Sequence, residues 1–170
     1  MSEAFLRLKS VKYDEGAIEI VAHEEHQASL DKKVITLTSS DEPRTEFLGP
    51  FVQLPIEVRR LLELQRDYAE GEFTVKKVVW SYSETTGVRG ATICCQAKLD
   101  CADAPLILNT PHLAFEQMSD GANAPLLPRS IIALLDALEA ETLLFMRGKR
   151  AQGDLSESIA RGEVAVEAVQ

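Results

Sequence analysis

One stretch limits the fold of this chain more than any other: residues 5–24, FLRLKSVKYDEGAIEIVAHE. Two runs of alternating apolar and polar residues flank Asp14-Glu15-Gly16, a tight-turn signal, so the segment reads as an antiparallel hairpin. In the second run Ile18, Ile20 and Ala22 point one way and Glu19, Val21 and His23 the other. Side chains alternate across a strand, so a sheet built on this hairpin has one face to bury. KVITLTSS (33–40) is β-branched and supplies a third strand.

Ser40-Asp41-Glu42-Pro43 is then a helix-start signal. Phe47, Phe51, Leu54, Val58, Leu61 and Leu62 follow at helical spacing, with Pro50 and Pro55 between them, so the spacing predicts a kinked helix or two short ones within 42–66. The strand pattern resumes at EFTVKKVVWSYS (72–83) and, after Glu84–Gly87, in VRGATICCQAKL (88–99). Strict alternation puts Phe73, Val75, Lys77, Val79 and Ser81 on one face and Thr74, Lys76, Val78, Trp80 and Tyr82 on the other. LILN (106–109) is a sixth short strand ended by Pro111. Residues 114–125 read as a surface loop. A long helix follows Pro128, with Ile131, Leu134, Leu135, Leu138, Thr142 and Phe145 as its stripe and RGKR (147–150) at its carbonyl end, where the helix dipole favours cations.

The expected fold is α+β: an antiparallel sheet of about six strands in βββα-βββα order, with two helical segments on one face. Both halves open with a lysine, a valine and an aromatic residue (Lys9, Val11, Tyr13; Lys77, Val79, Trp80), a thin hint of internal duplication. Residues 1–152 form one domain and 153–170 an acidic tail. A chain of 170 residues, 45% hydrophobic and 26% charged, is long enough to bury a sizeable core. The expected compartment is cytoplasmic: no run of 18 apolar residues suits a membrane, the first residues do not read as a secretion signal, and the cysteines number three.

The search for chemistry is mostly negative. His23 and His26 bracket two glutamates, but a metalloprotease motif sets its histidines four apart on a helix, and this segment ends a strand. Cys94 and Cys95 are neighbours on a strand and point to opposite faces, so no metal site is expected. There is no phosphate loop, no GxGxxG and no GxSxG. His112, with Asn109 and Thr110 beside it in NTPHL, is the pocket candidate, and Cys101 the conceivable nucleophile, yet general-base chemistry needs a positioned partner. No catalytic residue and no cofactor is therefore expected. The net charge of −9 opposes general binding of duplex DNA and counts less against single strands, where stacking shares the affinity. Lys76, Trp80 and Tyr82 on one strand face, with Arg89 and Lys98 from the returning strand, are the nucleic-acid candidates, weighed against a core role for the two rings.

SSDEPRTEFL, WSYSETTGVRGATI, DAPLILNTPHL, LLP and GKRAQ, in this order, resemble a family of small proteins encoded by bacteriophages and prophages. The resemblance spans about residues 5–152, and the family offers no catalytic residues to carry over. It implies a protein made in the cytoplasm of an infected bacterium. The leading expectation is a non-enzymatic accessory protein of phage DNA replication or recombination that binds single-stranded nucleic acid or a recombination partner. The alternatives are an inhibitor of a host defence system, acting by protein binding or small-nucleotide sequestration through NTPHL and 114–125; a hydrolase using His112; and a purely structural or interaction protein. Partners of either protein kind, host or phage, fit these readings, as does a homodimer formed on an exposed sheet edge; a membrane does not.

Overall fold

The structure is a computed structural model that describes residues 4–26, 32–117, 125–151 and 153–154. Three strands, β1 (Ala4–Asp14), β2 (Ala17–His26) and β3 (Lys32–Ser39), precede helix α1 (Thr45–Leu61). Strands β4 (Phe73–Tyr82), β5 (Arg89–Ala97), β6 (Leu106–Asn109) and the two-residue β7 (Leu113–Ala114) precede helix α2 (Arg129–Met146). A two-stranded ribbon, β8 (Lys149–Arg150) with β9 (Gly153–Asp154), follows. The main sheet is antiparallel in the order β3-β2-β1-β4-β5-β6, with β7 beside β5. This is the α+β architecture in βββα-βββα order that the sequence predicts.

One row of the sheet shows why it holds. Leu37, Ile20, Val11, Val78 and Ile93 are successive cross-strand partners, and the last four are buried. Both helices lie over this face. Phe47 and Phe51 of α1 meet the Tyr13 ring at 6.4 and 5.6 Å, and Phe47 meets Phe145 of α2 at 5.7 Å. Among the described residues the other face of the sheet carries no helix.

Helix α1 is a single helix that contains both Pro50 and Pro55 and begins two residues beyond the expected capping signal. Asp41 serves elsewhere: its carboxylate accepts from Arg150 Nε at 3.0 Å, which ties the end of β3 to the ribbon after α2. β2 runs through His26, so His23 and His26 do fall on opposite faces. Within the expected 114–125 loop, Ala114 belongs to β7, and Leu126 just beyond it bridges to Ala114; residues 118–124, and the tail from 155, lie outside the described residues.

The strict alternation read in β4 fails at one place, for a local reason. The register slips between Val75 and Lys77, so a bulge at Lys76 brings Phe73 and Val75 onto the same buried face as Val78 and Trp80. β1 has the same bulge at Lys9, between Leu8 and Ser10. The two halves therefore correspond residue by residue: Leu8 with Val75, Lys9 with Lys76, Val11 with Val78, Tyr13 with Trp80. The equivalence keeps the hinted match of Tyr13 with Trp80 and moves the lysine and valine matches by one residue, from Lys77 and Val79 to Lys76 and Val78. In the helices Phe47, Phe51, Leu54 and Val58 match Ile131, Leu135, Leu138 and Thr142, all buried. Val11 is paired with Val78 where β1 meets β4, so a pseudo-two-fold axis passes through that pair.

Candidate nucleic-acid interface

Burial divides the residues first proposed to bind nucleic acid. Trp80 is 1% exposed; it stands opposite Ala91 under the helices, and no base can reach its ring. The stacking role proposed for it is corrected to a core role. Arg89 also belongs to the helix side, where it binds Asp136 at 3.1 Å and Glu139 at 2.7 Å on α2. Lys76 sits in the bulge with its ammonium 2.7 Å from Asp14, and Lys98 pairs with Glu72 at 3.7 Å. These residues do not form one surface.

Tyr82 fills the place where β1 and β4 part company. The two strands are paired only over Ser10–Lys12 and Lys77–Val79; beyond that, the Tyr82 hydroxyl donates to the Leu8 carbonyl at 3.1 Å. Arg7 and Lys9 lie against its ring at 5.0 and 5.5 Å. Burial, then the Glu139 carboxylate, pushes the phenol up to about 12, and with its hydroxyl committed to Leu8 the ring serves as a wedge between the two strands.

The pocket candidates have structural work. Asn109 ends β6 opposite Cys94. Thr110 is buried, and its hydroxyl accepts from the Ile93 amide at 2.9 Å while its own amide donates to the Ile93 carbonyl. Pro111 stops the strand, and His112 lies back across the helix-free face, where Nε2 shares a hydrogen bond of 2.5 Å with Ser81 Oγ. The ring covers Gly90: a Cβ there would stand 2.5 Å from Nε2. NTPHL is thus the joint that carries the chain from β6 back to β7. Among the described residues no group of three or more His, Cys, Asp or Glu side chains is placed to hold a metal ion.

The helix-free face itself holds the arrangement that sequence reasoning missed. One row crosses all six strands: Thr38, Glu19, Lys12, Lys77, Cys94 and Asn109. Lys12 and Lys77 are direct cross-strand partners at its centre, beside the pseudo-two-fold axis. Like charges so opposed destabilise a sheet. Among the described residues neither lysine closes an ion pair, nor does Lys9 nearby, although the chain as a whole carries −9. Glu25 is taken up by Arg7 and Lys32 at 3.4 and 3.7 Å, and Asp14 by Lys76. His23 registers the field: partial burial, then Lys9 and Lys32, hold its imidazole below the ordinary 6.5. The next row on this face is Thr36, Val21, Ser10, Val79 and Thr92, three hydroxyls and two valines. The single exposed ring nearby is Phe5, at 39%, with Arg7 over it at 5.4 Å. The lysine pair was hidden in the sequence because it depends on the register of β1 against β4, which brings together two residues more than sixty positions apart in the chain. Family models, curated proteins and solved structures yield no match to this chain.

Proposed function

We propose that this chain is a non-enzymatic accessory protein of phage DNA metabolism that binds single-stranded nucleic acid across the helix-free face of its sheet. The observation that carries the proposal is the opposed Lys12–Lys77 pair, with Lys9 beside it, none of which closes an ion pair among the described residues of an acidic chain, although Glu19 stands across from Lys12 on the next strand. Phosphates are the ligand that relieves such a pair, because they neutralise the repulsion and release counterions. The family resemblance agrees with that reading. Binding here is electrostatic more than aromatic, since Trp80 is covered and Phe5 is the one ring offered.

Electrostatic binding fixes the test. With about three ammonium groups engaged, log K should fall with log salt at a slope of about −2, from ~0.7 per phosphate on a single strand. Anisotropy of a labelled thymidine oligonucleotide, followed from low to moderate salt, measures it. Lys12→Gln/Lys77→Gln should weaken binding and flatten the slope by about 1.4. No binding at low salt, or binding that the double variant leaves intact, overturns the assignment.

A further inference from the structure

The two outer edges of the sheet differ. β6 is four residues long and lies between Pro105 and Pro111, which blunts it as natural sheet edges are blunted. β3 is eight residues long, pairs with β2 along its whole length without a bulge, and contains no proline. Its composition is β-branched, with Val34, Ile35, Thr36 and Thr38 in the middle, and Val34 is 58% exposed. Among the described residues no strand lies along its outer side. A long edge of this kind, whose lysines stand only at its first two positions, is a template for another strand.

We infer that β3 pairs antiparallel with β3 of a second copy of this chain, about a two-fold axis normal to the sheet. Charge selects that occupant and that direction. Lys32 and Lys33 stand at the start of β3, 3.7 and 3.8 Å from Glu25 and Glu24 but with their side chains still about three-fifths exposed; Asp41, which also holds Arg150, and the exposed Glu42 follow its end. Antiparallel pairing brings the lysines of each copy alongside the acids of its partner, at both ends at once. It also keeps the two lysine pairs roughly 23 Å apart, the length of the strand. Parallel pairing would stack like ends on like. A two-fold axis of this direction leaves the helix-free faces of both copies on the same side, in one continuous sheet. Six strand spacings of about 4.8 Å then separate the two Lys12–Lys77 seams, roughly 29 Å. The pairing stands on the β3 edge alone and is tested without nucleic acid.

Sedimentation equilibrium of the full chain over the micromolar range reads the assembly. The mass should rise with concentration towards twice the 18.8 kDa of one chain. Val34→Lys/Thr36→Lys places four new charges at the axis and should hold the chain monomeric, with an unchanged circular dichroism spectrum. Should that variant not fold, Lys32→Glu/Lys33→Glu sets acid against acid and should weaken the dimer, with added salt recovering part of the loss. Hydrogen exchange of the amides of residues 33–38 should slow as concentration rises. A monomer throughout the range overturns the inference, as does a dimer insensitive to these substitutions. Amides of β3 protected equally from the dilute, monomeric end of the range upward also overturn it.

Discussion

Gly90 and His112 should behave as one unit, and the geometry fixes the sign of their coupling. In Gly90→Ala the new methyl would stand 2.5 Å from His112 Nε2 and 2.6 Å from Cε1, with Ser81 Oγ at 3.0 Å. The imidazole ring is the movable party, so it swings away and gives up its bond to Ser81, worth about 1 kcal/mol. Forcing the ring off its rotamer adds roughly 0.5–1.5 kcal/mol. Against this, alanine in a strand gains about 0.5–1 kcal/mol over glycine. The single variant should therefore be destabilised by about 1 kcal/mol. With His112→Ala already present no ring remains to displace, and Gly90→Ala should then stabilise by about 0.5 kcal/mol. Urea unfolding of the four proteins in the cycle should show a coupling of about 1.5 kcal/mol, well above the 0.3–0.5 kcal/mol expected of independent sites. Equal effects of Gly90→Ala in both backgrounds would refute the claim that the ring is what keeps this position glycine.

Three further outcomes follow from other parts of the molecule. Thr110→Val keeps the shape of the side chain but leaves the buried Ile93 amide without its acceptor. It should cost about 1–3 kcal/mol, and a melting scan should register about 2–4 °C for each of these. Trp80 should emit at short wavelength and stay unquenched by any oligonucleotide, because it is 1% exposed and under the helices. Its indole Nε1 has no hydrogen-bond partner among the described residues, so Trp80→Phe should be milder than the roughly 3–5 kcal/mol of a truncation to alanine. His23 has a folded-state pKa below its ordinary 6.5 through burial and the neighbouring Lys9 and Lys32. The unfolded chain takes up that proton more readily, so this group adds stability above 6.5 that is lost as pH falls below it. Lys9→Gln should move the His23 titration upward, as read from its ring protons by NMR, and bound phosphates should do the same. Oligonucleotide affinity should accordingly rise as pH is lowered.

Local rules reach most of this fold. Asp14-Glu15-Gly16 and the alternation in β2 give the first hairpin, and the stripe after Pro128 gives α2 with all of its buried positions and one half-buried residue, Leu134, besides. The bulges at Lys9 and Lys76 lie beyond those rules, since period two carried through Lys76 separates Val75 from Val78, residues that share one core. A bulge answers to the strand beside it, and the sequence of β4 alone does not announce it. The site suffered the same way. Alternation through the bulge grouped Lys76 with Trp80, but the lysines that remain without carboxylates are Lys12 and Lys77, brought together by a non-local register. His112 was visible as an unusual residue, while its place over Gly90 needed the return of the chain into β7.

The short seam between the halves has a consequence for how the molecule comes together and comes apart. β1 and β2 are paired along nearly their whole lengths, as are β4 and β5, but β1 and β4 share only the rungs Ser10–Val79, Val11–Val78 and Lys12–Lys77. Each half can close its own hairpin between neighbours in sequence, a fast event. Joining the halves must wait for a loop of more than sixty residues to close and is the slow one. The same three rungs, with two ammonium groups pushing against each other at one of them, are where partial opening should begin. In native-state hydrogen exchange the amides at this central junction should open below the global unfolding free energy, ahead of the flanking hairpins, although they lie in the middle of the sheet.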